Sequence, residues 1–363
     1  MRRPRLLIVD DSVVIRRELT AAIARDARVE VVGSASNGRI ALMKIPLLQP
    51  DIVALDVGIP QIDGFATLTA IRREWPRLLV IMLNVPTPLG ATATVEALTR
   101  GADDYVVKPA GDVPTAEAVQ VLSDQLVAKI VSCRRNTEPS RARNRAPSTA
   151  APSGKRIDVV ALAVSTGGPG ALMKLIPAFP ADCPVPILIV QHMPPMFTRL
   201  LAERLDAMSS LCVVEGSAGQ TPTPGGAWIA PGDLHMAVER DGAVVRLVTH
   251  RQPREHSCRP AADVLFRSVA EVYGPHALAV VMTGMGEDGF LGSEQIHAAG
   301  GKVLVQDEDS SVVWGMPGVV ARAGIADRIV PLSELGAEIL ERVRRHRPAP
   351  GRLEGREAGV ACR

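Results

Sequence analysis

Long apolar runs are missing from this 363-residue chain: none reaches the roughly 18 residues that a membrane span needs. The leading Met1-Arg-Arg-Pro-Arg segment opens onto an apolar run too short for a secretory signal. A soluble, cytoplasmic protein without direct membrane insertion is expected. Aromatic residues are scarce at 3%, which removes the stacking platforms used to hold single-stranded nucleic acid. Net charge is also small: +2 gives no bulk electrostatic reason to bind nucleic acid or anionic lipid. The five cysteines (Cys133, Cys183, Cys212, Cys258, Cys362) are odd in number and lack CxxC spacing. Reduced thiols are expected, and a cysteine-held metal is not. No helix-turn-helix or basic recognition helix is present, which argues against transcriptional control. A monomer is expected.

What is present is an alternation of short apolar strands and amphipathic helices, in enough chain for two cores. Leu6–Asp10, Val29–Val32, Ile52–Asp56, Leu78–Leu83 and Asp104–Lys108 are five strand candidates, and the helical segments between them imply a mostly parallel sheet. Pro46 is expected to kink or shorten the second helix. From 134 to 156 Pro, Ser, Ala and Arg dominate, with seven basic residues against one acidic. Such a segment buries too little to offset its ordering entropy and reads as a flexible linker. The α/β pattern resumes at 157, and from 342 the chain reads as a frayed tail.

In the second half, three strand-like runs each stop at a reactive side chain. Ile157–Val164 leads to Ser165, Val185–Gln191 to His192, and Ala277–Met282 to a glycine-rich turn carrying Asp288. In an open parallel sheet the carboxyl ends of strands share one crevice, so the three would meet. Hydroxyl, imidazole and carboxylate are the parts of an activated nucleophile: Ser165 attacks, His192 acts as base then acid, and Asp288 orients the imidazole. The small residues after Ser165 allow close approach, and N–H groups at the new helix start could hold an oxyanion. Taken singly, each residue has a bland alternative: a structural serine at a turn, a structural histidine, a helix-capping aspartate. A phosphate cradle is a further alternative for the glycines, but neither a Walker pattern nor G-x-G-x-x-G is present. The order Ser…His…Asp and the missing G-x-S-x-G separate the chain from α/β-hydrolases.

A second convergence lies in the first half. Asp10 and Asp11 end the first strand, Asp56 the third, and Lys108 the fifth. Three carboxylates held together need a cation, and an all-oxygen set suits Mg²⁺. A carboxylate beside such an ion and an ammonium can attack a phosphoryl group. The competing reading is that these are ordinary surface carboxylates at strand ends.

Residues 1–128 resemble a response-regulator receiver domain, through Leu7-Ile-Val-Asp-Asp-Ser12, Asp51-Ile-Val-Ala-Leu-Asp56, Ile59-Pro-Gln-Ile-Asp-Gly64 and Gly101-Ala-Asp-Asp-Tyr-Val-Val-Lys-Pro109. The resemblance implies that Asp56 accepts phosphate from a histidine kinase, that Asp10, Asp11 and Asp56 hold Mg²⁺, that Lys108 contacts the phosphoryl group, and that Tyr105 is a rotating switch. The family carries Ser or Thr where this chain has Asn84, with Thr87 a nearby hydroxyl. Residues 157–341 resemble the CheB methylesterase catalytic domain, through Ser165-Thr-Gly-Gly168, Gln191-His-Met-Pro194, Ile229-Ala-Pro-Gly-Asp-Leu-His235, Arg259-Pro-Ala-Ala-Asp-Val-Leu-Phe266, Met282-Thr-Gly-Met-Gly-Glu-Asp-Gly289 and Ser311-Val-Val-Trp-Gly-Met-Pro317. This implies the same triad, the Met285 N–H as oxyanion donor, and Thr166 helping to place the imidazole. It further implies hydrolysis of glutamate γ-methyl esters on chemoreceptors without a cofactor for that step, with glutamine deamidation as a second activity, in chemotaxis adaptation. The expected fold is α/β, two doubly wound domains (receiver-like, then Rossmann-like methylesterase) joined by a linker at 129–156 and ending in a tail at 342–363. The unphosphorylated receiver would cover the cleft. A receiver-gated binding module for receptor tails or anionic ligands, without catalysis, is the alternative.

Overall fold

The computed structural model describes residues 2–59, 63–85, 87–108, 115–134 and 155–345. Most of the expected linker and nearly all of the expected tail lie outside these residues. The first half alternates β1 (Arg5–Val9), α1 (Val13–Ile23), β2 (Glu30–Ala35), α2 (Gly38–Leu48), β3 (Ile52–Asp56), α3 (Gly64–Glu74), β4 (Leu79–Asn84), α4 (Pro88–Thr99), β5 (Asp104–Val107) and α5 (Ala116–Arg134). The five strands form one sheet of order β2-β1-β3-β4-β5, parallel throughout. Central strands β1 and β3 are buried along their length because helices cover both faces, hence their near-continuous apolar sequences.

Two local details follow from the sequence. Pro46 sits in the last turn of α2, which ends at Leu48 with Gln49 in the left-handed region. Helix α5 runs past 128 to Arg134, into the segment expected to be linker. The extension is held by Ile130 and Cys133, which are buried where α5 packs on the sheet.

The second half contains β6 (Val159–Val164), α6 (Gly168–Leu175), β7 (Ile187–Gln191), α7 (Phe197–Met208), β8 (Cys212–Glu215), β9 (Gly226–Ile229), β10 (His235–Asp241), β11 (Val244–His250), α8 (Ala262–Tyr273), β12 (Ala277–Val281), α9 (Phe290–Ala298), β13 (Lys302–Gln306), α10 (Met316–Ala323), β14 (Arg328–Val330) and α11 (Leu332–Arg344). Seven strands make a parallel sheet of order β14-β13-β12-β6-β7-β9-β8, and β10-β11 form a separate antiparallel hairpin. The winding direction reverses at β6, so β6, β7 and β12 open a crevice at their carboxyl ends. Cys133 and Cys258 are free thiols, while Cys212 is disulfide-bonded, against the expectation of five reduced cysteines.

The two halves touch. Helix α4 packs on α6 and α7, the helices that follow Ser165 and the His192 loop. One apolar cluster runs through both halves and includes Tyr105 and Phe197. Among the described residues, no helix is long and apolar enough to cross a membrane.

Candidate active site and receiver acidic pocket

His192 and Asp288 are in contact, and Ser165 lies at the end of the strand beside that of His192. Strands β12, β6 and β7 are immediate neighbours; Ser165 and His192 directly follow β6 and β7, and Asp288 lies on the glycine-rich turn after β12. Ser165 is pinned through its backbone: its N–H donates to the Thr283 carbonyl at 3.0 Å, and its carbonyl accepts from Gly168 N–H at 2.7 Å and Gln191 Nε2 at 3.1 Å. The turn demands small residues. Gly167 adopts φ +74°, and a Cβ on Gly168 would lie 2.0 Å from Gln191 Oε1. The Ser165 hydroxyl itself makes no hydrogen bond among the described residues.

His192 Nε2 stands 2.7 Å from Asp288 Oδ2. Asp288 is buried, and the same oxygen accepts the Ala262 N–H at 2.6 Å while Oδ1 accepts the N–H groups of Asp263 and Gly289, each at 2.9 Å. Ala262 and Asp263 open helix α8, so Asp288 satisfies orphan donors of a helix distant in sequence while also holding the histidine. The capping role and the orienting geometry therefore coexist in one carboxylate. Burial disfavours its charge, but the His192 bond and the backbone donors win and hold its pKa below the ordinary value. Burial likewise disfavours imidazolium at His192; the bond to Asp288, then the nearby Cys258 sulfur, overcomes it and pushes the pKa up to about 10. With Nε2 committed to Asp288, Nδ1 is the nitrogen left to address Ser165.

Met285, on the turn after β12, keeps its backbone N–H free of any hydrogen bond among the described residues, and its side chain is exposed. Thr166 is buried beside the nucleophile, but its side chain makes no hydrogen bond to the His192 ring among the described residues. Its carbonyl is held instead by Thr283 Oγ1 at 2.8 Å. Thr283 also accepts the Val313 N–H at 3.0 Å, tying the 313 loop to the turn. Gln191, Thr283 and Cys258 are thus structural partners of the site that the sequence reading left without roles. His235 is another: fully buried, it bonds the Pro253 carbonyl through Nε2 at 3.0 Å and accepts the Ala261 N–H on Nδ1 at 3.2 Å. It fastens the segment that leads into α8.

In the first half, Asp10, Asp11 and Asp56 bring carboxylate oxygens within 4.8 Å of one another. Lys108 Nζ lies 2.6 Å from Asp10 Oδ2 and 2.8 Å from Asp56 Oδ2. Burial raises the Asp10 pKa despite Lys108, and the two aspartates raise that of Lys108 against its own burial. Asp10 Oδ2 is buried, and the close Lys108 ammonium is not aligned as a full hydrogen bond to it, in an all-oxygen cluster. That donor set suits a hard divalent cation. Asn84 reaches the same sheet edge, but its amide donates to the Gly90 carbonyl and Thr94 Oγ1 of α4 and accepts the Val85 N–H. Thr87 is occupied as the cap of α4, accepting the Gly90 N–H at 3.1 Å. Tyr105 is buried rather than outward, stacked on Phe197.

Comparison with known proteins finds relatives of both halves. The CheB methylesterase family description matches residues 160–339, and the response regulator receiver domain description matches residues 6–120. A protein from Trichodesmium erythraeum named protein-glutamate methylesterase/protein-glutamine glutaminase is 48% identical over 93% of this chain and 99% of its own length. The chain belongs to the CheB methylesterase family. A relative of the same name from Nocardioides is 45% identical over 95% of this chain and 97% of its own. The crystal structure of the Thermotoga maritima CheB methylesterase catalytic domain covers 52% of the chain and 99% of that domain, with 38% identity and a TM-score of 0.50. The CheB family match thus spans both halves, receiver and esterase.

Proposed function

We propose that this chain is a cytoplasmic, phosphorylation-regulated esterase that hydrolyses glutamate γ-methyl esters on chemoreceptors, with glutamine deamidation as a second activity. The observation that carries the reading is the His192–Asp288 contact, 2.7 Å, at the strand ends beside Ser165. In this reading Ser165 Oγ turns to His192 Nδ1, gives up its proton, and attacks the ester carbonyl. The oxyanion forms against the Met285 N–H. Collapse breaks the ester C–O bond, and His192 returns the proton to the leaving methoxide, releasing methanol. Water, activated by the same imidazole, then hydrolyses the acyl-serine and leaves free glutamate. Asp288 keeps the ring oriented and offsets its charge throughout. Loss of one oxyanion donor typically costs about 2.7–4 kcal/mol of barrier.

In the receiver, Asp56 is the proposed phosphoacceptor for a histidine kinase. Asp10, Asp11 and Asp56 would hold Mg²⁺, which when bound neutralises phosphoryl oxygens. Lys108, already between Asp10 and Asp56, would move its ammonium onto the phosphoryl group. The packing of α4 on α6 and α7 supports restraint of the esterase by the unphosphorylated receiver. Methanol release from methylated receptor membranes, with and without acetyl phosphate, tests the whole reading. Release that depends on Ser165 and rises with the phosphodonor is expected; no release from the wild-type chain would overturn it.

A further inference from the structure

Asp233, at a left-handed backbone position (φ +59°), faces three guanidiniums: Arg259 at 2.7 Å, Arg254 at 3.5 Å and Arg251 at 3.8 Å. Arg259 is the anchor. Its side chain is only 17% exposed, and it also donates to the Arg251 and Gln252 carbonyls at 3.3 and 3.1 Å. Arg251 and Arg254 behave differently: their side chains are 72% and 58% exposed with the receiver in place. One carboxylate against three cations leaves positive charge facing solvent. The nearby acids do not cancel it, because Glu255 is paired with Arg267 at 2.5 Å and Asp263 is fully buried, facing the start of α9 through the Gly292 N–H. Glu287 is an exposed acid nearby, 3.8 Å from His256.

This bank is built onto the catalytic loops. A Cβ on Gly232 would lie 2.2 Å from Pro195 N and 2.3 Å from the Pro194 carbonyl carbon, so the Asp233 loop packs directly on the chain that leaves His192. The Asp233 N–H donates to the Arg259 carbonyl at 3.1 Å. Arg259 in turn follows Cys258 in the segment that leads to α8, the helix capped by Asp288.

We propose that Arg251 and Arg254 form a recognition rim for carboxylates that flank the scissile ester, so that the site favours acidic protein segments. The inference rests on the esterase reading and adds a substrate preference to it. Its chemistry is specific: each hydrolysed ester becomes a carboxylate, so where a segment carries several modifiable glutamates, processing one strengthens rim contacts for the next.

The test uses the full-length chain and two synthetic peptides, each with one glutamate γ-methyl ester, flanked either by Asp and Glu or by Asn and Gln. The wild-type kcat/KM ratio, acidic over neutral, should be about ten, the size of two partly exposed charge pairs, and should lie mainly in KM. The ratio should fall with added salt. It should collapse towards one in an Arg251→Gln/Arg254→Gln double variant and be largely kept by Arg251→Lys/Arg254→Lys. A wild-type ratio near one, or a preference that survives in the Gln variant, overturns the rim. Fluorescence anisotropy of labelled peptides separates the two readings. Rim-dependent binding of the acidic peptide with no hydrolysis overturns the esterase alone; equal hydrolysis of both peptides overturns the rim alone.

Discussion

The ring of Tyr105 lies parallel to that of Phe197, 5.2 Å between centroids and 8° between planes. The last strand of the receiver therefore touches the first residue of α7, the helix that begins where the His192 loop ends. A stacked aromatic pair contributes about 0.5–1.5 kcal/mol beyond its buried area, or about two- to tenfold in an open–closed equilibrium. Tyr105→Leu should raise methanol release without phosphodonor by that factor and shrink the stimulation by phosphorylation. An unchanged basal rate would show that this contact does not restrain the esterase.

The pH profile follows from the His192 environment. The ring must be neutral to take the proton of Ser165, and its pKa is pushed up to about 10 from an ordinary 6.5. A raised pKa keeps imidazolium through neutral pH, so kcat/KM should climb with rising pH, with an inflection well above that of an unperturbed histidine. The Cys258 thiol favours imidazolium, so Cys258→Ala should move the inflection to lower pH. An inflection that stays in place would remove the thiol from the account.

Asp288→Asn probes a carboxylate with two duties. As the partner of His192 it should cost on the order of 10⁴ in turnover, the effect of losing the tautomer-fixing acid. As the acceptor for the α8 N–H groups it should also cost about 1–3 kcal/mol of stability, read by urea unfolding. Lost activity with full stability would mean that α8 does not depend on it.

Lys108 should matter for folding as well as signalling. Lys108→Met leaves two buried carboxylates without their cation, a change worth about 3–5 kcal/mol. Mg²⁺ should therefore raise the Tm of the variant more than that of wild type. No Mg²⁺-dependent shift in either protein would contradict a cation site at Asp10, Asp11 and Asp56.

Strand positions and their reactive ends were legible because a central parallel strand is buried on both faces and so reads as an unbroken apolar run. The placement of Ser165 and His192 at neighbouring strand ends followed from sheet topology alone. Contacts that depend on side-chain direction were not legible. Nothing in Met82-Leu-Asn84 shows that the amide turns to Gly90 and Thr94. Cys258 lies 66 residues from His192 in sequence, in a loop whose path is set by buried His235 rather than by any periodic pattern. The helical extension of α5 to Arg134 was hidden because its apolar residues merge into a basic, proline-rich stretch.

Covalent labelling by a fluorophosphonate, mapped by mass spectrometry, addresses the nucleophile without any receptor. The expected result is a single phosphonylated residue, Ser165, with labelling lost in Ser165→Ala and greatly slowed in His192→Gln. Wild-type protein that stays unlabelled while retaining methanol release would place the chemistry on another residue and contradict the triad.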